Sequence, residues 1–244
     1  MTIPVVAIGG TLCDARLWRA VPTPVLPVVA GCLPDGRMGR HGDMAAYAAE
    51  LLAELPPRFA LAGFSLGGLI ALELAAQAPD RITRLALICA GAGPENPSGA
   101  ALRRDGEARA ATLGLTAHAV QDLVPRYELP PDSPLAEAVA EMAKAVGLVL
   151  YRRQNDLAIS RADSRDRLWA MRMPVHLVSG AEDKLCPPLR HAEIQALLPD
   201  ARRTVVADCG HMVPLGQPGG LRDLFEWLAT PLAPLPDGQD NRCN

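Results

Sequence analysis

Three polar residues, far apart in the chain, could together do nucleophilic chemistry. Ser65 sits in Gly63-Phe64-Ser65-Leu66-Gly67, Asp183 in Gly180-Ala181-Glu182-Asp183-Lys184, and His211 in Cys209-Gly210-His211-Met212-Val213-Pro214. A serine hydroxyl is a weak nucleophile at neutral pH. It needs a base to take its proton, and the base needs an acid to orient it. A short apolar run precedes each of the three segments, so each residue is expected in a loop just after a strand. Each also has a plainer role open to it: Ser65 or Asp183 could cap a helix, and Glu182 could replace Asp183 as the acid. We favour Asp183 for its place in the loop. Among the other histidines, His41, His118 and His191 follow no strand and read as surface or capping residues, while His176 falls inside a strand and reads as a core histidine.

The elements that must position these residues alternate. Strands are predicted at Ile3 to Ile8, Val25 to Ala30, Phe59 to Ala62, Leu85 to Cys89, Val175 to Ser179 and Thr204 to Ala207. Continuous apolar runs suit strands buried on both faces, and Pro27 marks the second as an edge strand. Helices are predicted at Met44 to Leu55, capped by Asp43, and at Leu66 to Gln77, Asp163 to Met171, Pro187 to Leu198 and Leu221 to Leu228. Such alternation builds a parallel sheet with right-handed crossovers and ligands at the strands' carboxyl ends. The loops at Thr11, Ser65, Gly91, Asp183 and His211 therefore share one sheet edge.

Residues 96–160 break the pattern, with helical stretches at Ala100 to Leu113, Ala117 to Tyr127, Pro134 to Tyr151 and Arg153 to Ile159. The expected fold is α/β, a mostly parallel twisted sheet of about six strands flanked by helices. The core comprises 1–95 and 161–230, a helical lid 96–160, and a frayed tail 231–244. Within the lid, Leu148, Val149, Leu150 and Tyr151 are candidates for an apolar wall, with Leu12, Leu148 and Tyr151 as substrate-pocket residues. The lid arginines read mainly as a solvated face, with a carrier-protein or anionic-substrate surface as the alternative.

Composition narrows the classes further. The chain has 244 residues, a hydrophobic share of 49% and a charged share of 21%, which suits one well-buried domain. A net charge of −3 gives no electrostatic case for nucleic acid. No segment approaches the apolar length of a membrane span, and no secretory signal is legible, so a cytoplasmic location is expected. The six cysteines form no C-x-x-C pair, which argues against zinc or a redox dithiol. Neither Gly9-Gly10-Thr11-Leu12 nor Gly63-Phe64-Ser65-Leu66 completes a dinucleotide fingerprint, and no P-loop is present. No cofactor and no metal are expected.

The order Ser65, Asp183, His211, with Gly67-Gly68 after the elbow, Pro187 after the acid and Gln217-Pro218 after the base, resembles the α/β-hydrolase fold. The resemblance extends to small carboxylesterases of the pimeloyl-carrier-protein methyl esterase type, whose N-terminal segment is similar to Gly9-Gly10-Thr11-Leu12-Cys13-Asp14-Ala15-Arg16-Leu17-Trp18. Gly9-Gly10 replaces the usual His-Gly, and the first strand starts without a preceding hairpin, so a trimmed sheet is expected. The resemblance implies a Ser65–His211–Asp183 triad, an oxyanion hole from the amides of Leu66 and Thr11 (Leu12 as fallback), and a small-molecule acyl substrate, ester, thioester or lactone. Carbon–carbon bond hydrolysis, acyl transfer and cofactor-free haloperoxidase chemistry use similar triads. A non-catalytic binding protein of the same fold is the alternative of another class.

Overall fold

The computed structural model describes residues 3–21 and 23–231. The tail expected to fray lies outside them, apart from Pro231. Six strands, β1 (Val5–Ile8), β2 (Leu26–Val28), β3 (Phe59–Phe64), β4 (Ile82–Ile88), β5 (Val175–Gly180) and β6 (Arg202–Val206), form one sheet in the order β2-β1-β3-β4-β5-β6. Every adjacent pair is parallel. The strand-to-helix alternation dictates this, because a parallel partner can be reached only by a crossover. The chain reverses its direction of travel across the sheet at β1, whose neighbours are β2 and β3, so the loops after β1 and β3 flank the crevice where such folds bind ligands.

Alternation along each strand divides the core between two faces. Val6 and Ile8 of β1 join Phe59 and Leu61 of β3 under the helices α1 (Met44–Glu54) and α2 (Leu66–Gln77). Val5 and Ala7, with Ala60, Ala62 and Phe64, face Trp18 and the helix α8 (Arg222–Ala229) on the other side. The Asp43 carboxylate caps α1 as expected, accepting from the Ala46 amide at 3.0 Å. Helix α2 is apolar almost all round because it is covered almost all round. Its buried Glu73 is paired with Arg167 at 2.7 Å, which offsets the cost of taking a carboxylate out of water.

Strand limits differ from expectation where polar residues disguise a buried strand. β4 begins at Ile82, not Leu85, because Thr83 and Arg84 are both buried in it. The Thr83 hydroxyl donates to the Phe59 carbonyl at 3.2 Å. Arg84 lays its guanidinium over the Trp227 ring at 5.6 Å and donates to the Thr230 carbonyl. At the far edge β6 is shifted to Arg202–Val206, with Arg202 and Arg203 exposed. β2 is an edge strand, as Pro27 requires.

Between β4 and β5 the chain is helical: α3 (Pro97–Leu113), α4 (Leu115–His118), a π-helical turn Ala119–Leu123, and the long α5 (Pro134–Ser160). The two final helices expected there are halves of α5, and the break falls at Gly147 (φ 74°) rather than near Arg152. Only glycine adopts that conformation without strain. Ion pairs knit these helices to one another and to the core: Arg104 to Asp156 at 2.7 Å, and both Arg103 (2.6 Å) and Arg161 (2.9 Å) to Glu95.

Two histidines expected at the surface are buried. One is His191 of α6 (Pro188–Leu197), fully enclosed, whose Nε2 accepts from the Ala90 amide at 3.3 Å. Burial drives its pKa down from 6.5 to about 4. Between those pH values the unfolded chain binds a proton that the folded chain refuses, so stability falls as pH falls through the window. Urea denaturation at pH 7 and pH 5 should show a loss of about 2 kcal/mol from this group, absent in His191→Gln. An equal loss in wild type and variant would assign the pH dependence elsewhere.

Candidate functional site

Ser65 lies at the turn between β3 and α2 with φ 52° and ψ −115°, a region that side-chain-bearing residues avoid. The flanking glycines make the turn feasible. A Cβ on Gly63 would run into the Gly67 backbone, and a Cβ on Gly67 into that of Ile8. Ser65 does not cap α2 with its side chain. Its Oγ lies 3.0 Å from His211 Nε2 instead. That distance separates the two roles the sequence left open for the serine.

His211 stands on the loop between β6 and the short helix α7 (Val213–Gly216), 2% exposed, with Nδ1 2.8 Å from Asp183 Oδ2. Asp183 is equally buried, on the loop after β5, and its Oδ1 accepts from the amides of Leu185 (2.9 Å) and Cys186 (2.8 Å). Four lone-pair directions are thus largely filled, and the carboxylate is fixed in orientation. The network assigns the proton of the neutral imidazole to Nδ1, leaving Nε2 to accept from the serine hydroxyl. Tyr127 stacks on the His211 ring at 5.4 Å, and Phe64 tilts against it at 5.2 Å. Glu182, the alternative acid, is exposed, and the carboxylate bonded to the ring is that of Asp183.

One more buried group adjoins these side chains. Cys89, at φ 51°, places its thiol near Asp183 and His211, the three ligand atoms lying within 4.8 Å of one another. Burial and the Asp183 charge push the thiol pKa well up, so it is a neutral SH rather than a thiolate nucleophile or ligand. Asp183 and His211 already spend their facing atoms on each other.

A cavity of about 480 Å³ opens above Ser65, bordered by Thr11, Leu66 and His211. Among the described residues, the amides of Thr11 and Leu66 have no hydrogen-bond acceptor. The Leu12 amide is excluded as their substitute, since it donates to Gln154 Oε1 at 2.9 Å. Gln154, fully buried on α5, also donates from Nε2 to the Ala30 carbonyl at 2.9 Å. It ties the loop after β1 to the helical layer, at a point where Leu12 has φ 58°. No motif flags this residue; its only sequence signal is an uncharged amide on the buried side of an amphipathic helix.

The apolar wall expected over the cavity is not there. Leu12 and Leu148 are off the wall and pack into the second core face, Leu150 packs by Gly31, and Val149 is exposed. The break at Gly147 rotates the following turn away from its expected heading. Of the predicted pocket residues, only Tyr151 lines the cavity. The wall is mostly polar, with the lid arginines Arg103, Arg126 and Arg161, expected on a solvated face, with Arg190 of α6, and with His118, expected at the surface but 3% exposed.

The model of the alpha/beta hydrolase fold family matches residues 34–218. The chain belongs to that family. It is 31% identical over 240 residues to a pimeloyl-[acyl-carrier protein] methyl ester esterase of Aromatoleum aromaticum, covering 86% of this chain and 92% of that one. A protein of the same description from Neisseria meningitidis serogroup B is 30% identical over 195 residues, covering 76% and 75%. Among solved structures, a thermophilic esterase from Thermogutta terrifontis superimposes with a TM-score of 0.72 over 93% of this chain and 91% of that one, at 23% identity. The protein is thus an α/β-hydrolase enzyme whose relatives include ester hydrolases. Among the described residues, no helix is long and apolar enough to cross a membrane.

If Gln154 holds the loop after β1 in its working shape, Gln154→Leu should lower kcat about tenfold or more while KM changes little, the loss of a single buried hydrogen-bond pair being worth that much. Steady-state kinetics on a p-nitrophenyl ester checks this. A variant with wild-type kcat would show that the loop keeps its shape without the amide.

Proposed function

We propose that the protein is a serine hydrolase cleaving a carboxylic ester, thioester or lactone through an acyl-enzyme. The observation that carries this reading is the unbroken chain from Ser65 Oγ to His211 Nε2 (3.0 Å) and from His211 Nδ1 to Asp183 Oδ2 (2.8 Å), opening onto one cavity. In the first half-reaction Ser65 Oγ attacks the carbonyl carbon and its proton passes to His211 Nε2. The carbonyl electron pair moves onto oxygen, where the amides of Leu66 and Thr11 receive it. The Leu66 amide adds the positive end of α2 to that interaction. Collapse expels the alcohol, which takes the proton from His211, and leaves the acyl group on Ser65. Water then repeats the sequence, with His211 as base and then acid, and releases the carboxylic acid. Asp183 keeps the imidazole in its tautomer and stabilises the imidazolium, without itself taking the proton.

No cofactor enters these steps. Carbon–carbon hydrolysis, transfer to an acceptor other than water and haloperoxidase chemistry would use the same groups, and the relatives' descriptions favour the ester. Those descriptions also make an acyl chain linked to a carrier protein a candidate form of the substrate. The helices α3 to α5 are read as the lid over the cavity. Five described cysteines are free and buried, which supports a reducing, cytoplasmic setting.

p-Nitrophenyl esters of increasing acyl length should be hydrolysed, and Ser65→Ala should lower kcat on the order of a million-fold. Asp183→Asn should cost roughly ten-thousand-fold, by favouring the wrong tautomer. Wild-type turnover in Ser65→Ala would sink the mechanism, and a folded wild-type protein inert to every ester would favour a binding role.

A further inference from the structure

The cavity above Ser65 is electrostatically lopsided. Five arginines, Arg103, Arg126, Arg161, Arg165 and Arg190, reach its wall, against one carboxylate, Glu95. Most of this charge is spoken for. Arg161 is saturated by Glu95 and by the carbonyls of Gly93 and Ala158. Arg165 pairs with Asp163, and Arg190 with Glu193. Arg126 is different: among the described residues it has no carboxylate within ion-pair distance. It is exposed, lines the cavity, and precedes Tyr127, the residue stacked on His211.

A second, independent observation falls at the same end. Asn155 is 1% exposed, lies on the cavity wall, and has no hydrogen-bond acceptor for its Nδ2 among the described residues. Its Oδ1 accepts from Arg103 Nη1 at 3.4 Å, which directs the amide NH2 away from that guanidinium. Arg103 also gives Nε to Glu95 at 2.6 Å and has Nη2 left over. Arg103, Arg126, Tyr151 and Asn155 all line the cavity, with the Asn155 amide beside the Tyr151 hydroxyl. Tyr151 is itself engaged with His118 Nε2 at 3.1 Å, and His118 Nδ1 with Asp122 at 2.7 Å. That chain orients the Tyr151 hydroxyl towards His118 and engages Asp122 on the far side of the ring. What remains, among the described residues, is Asn155 Nδ2 and Arg103 Nη2 without an acceptor and Arg126 without a carboxylate partner.

A buried amide N–H such as that of Asn155 is normally satisfied, while Arg103 is half-buried and Arg126 exposed; guanidinium and amide N–H groups together match the oxygens of a carboxylate or phosphate. We propose that this end of the cavity is a subsite for an oxyanion, a carboxylate or a phosphate, carried on the substrate away from the scissile ester and held by Arg126, Arg103 and Asn155 Nδ2. The proposal rests on the ester-hydrolase reading above and narrows it to esters with an anionic distal end. A cavity of about 480 Å³ has room for both ends of a small molecule.

The test compares kcat/KM for monomethyl succinate and monomethyl adipate with the dimethyl esters of the same acids, and adds a methyl ester bearing a distal phosphate. At low ionic strength the anionic esters should be preferred by about tenfold or more, with added salt narrowing the gap. Whether carboxylate or phosphate gains more identifies the natural group. Arg126→Gln should shrink the anionic-to-neutral ratio, Arg126→Glu should bring it below one, and Asn155→Leu should lower it. Equal kcat/KM for anionic and neutral esters would overturn the subsite and leave the hydrolase reading standing. So would variants that slow both substrates in the same proportion. Calorimetric binding of succinate, adipate and inorganic phosphate to the Ser65→Ala protein separates the two readings. Binding of any of them that is lost in the Ser65→Ala, Arg126→Glu double variant supports the subsite even if no ester turns over, and its absence counts against it.

Discussion

The backbone of Ser65 is the constraint on which the rest of the site depends. A residue at φ 52° and ψ −115° is held there only if its surroundings determine it more strongly than its own preferences do. Here Gly63 and Gly67 let β3, α2 and β1 approach until no Cβ would fit, and the Ser65 amide is tied to the Ile88 carbonyl of β4 at 2.9 Å. The turn cannot relax without separating the centre of the sheet from its most buried helix. Strain of this kind projects Oγ above the sheet and leaves the first amides of α2 pointing at the same space.

The other groups converge on that point for reasons of topology. In a parallel sheet every strand delivers its carboxyl end to one edge, so the loops after β1, β3, β5 and β6 become neighbours although their residues are up to 200 positions apart in sequence, as Thr11 and His211 are. Side-chain order is then set by hydrogen bonds that are individually ordinary. Two loop amides hold Asp183, Asp183 holds His211, and Tyr127 covers the ring from the helical layer. Burial makes this arrangement stiff, because a buried carboxylate or imidazole that lost its partner would carry the full cost of desolvation.

This division explains what could be read from the sequence. Ser65, Asp183 and His211 were legible because each sits after an apolar run beside glycine, a local pattern with a backbone reason. The start of β4 was hidden because Thr83 and Arg84 satisfy their polar ends through the Phe59 carbonyl and the C-terminal end of α8, contacts no local window contains. Leu148 reads as cavity wall because it opens an apolar run in a stretch expected to be helical through Tyr151, and the helix breaks just before it at Gly147. His118 and His191 give no sign of burial, and Gln154 only a weak one, since whether a polar residue in a helix is enclosed depends on what another segment packs against it. The polar cavity was missed for the same reason: arginines in amphipathic helices look solvated until the fold turns them inward.

The claim that Ser65 is the nucleophile, activated by His211, is tested most directly by stoichiometric labelling with a fluorophosphonate, read by mass spectrometry of the intact protein and its peptides. The account predicts one label per chain, on Ser65, with labelling slowed by several orders of magnitude in a folded His211→Ala protein. A folded wild-type protein that takes no label, or one labelled at another residue, would contradict it.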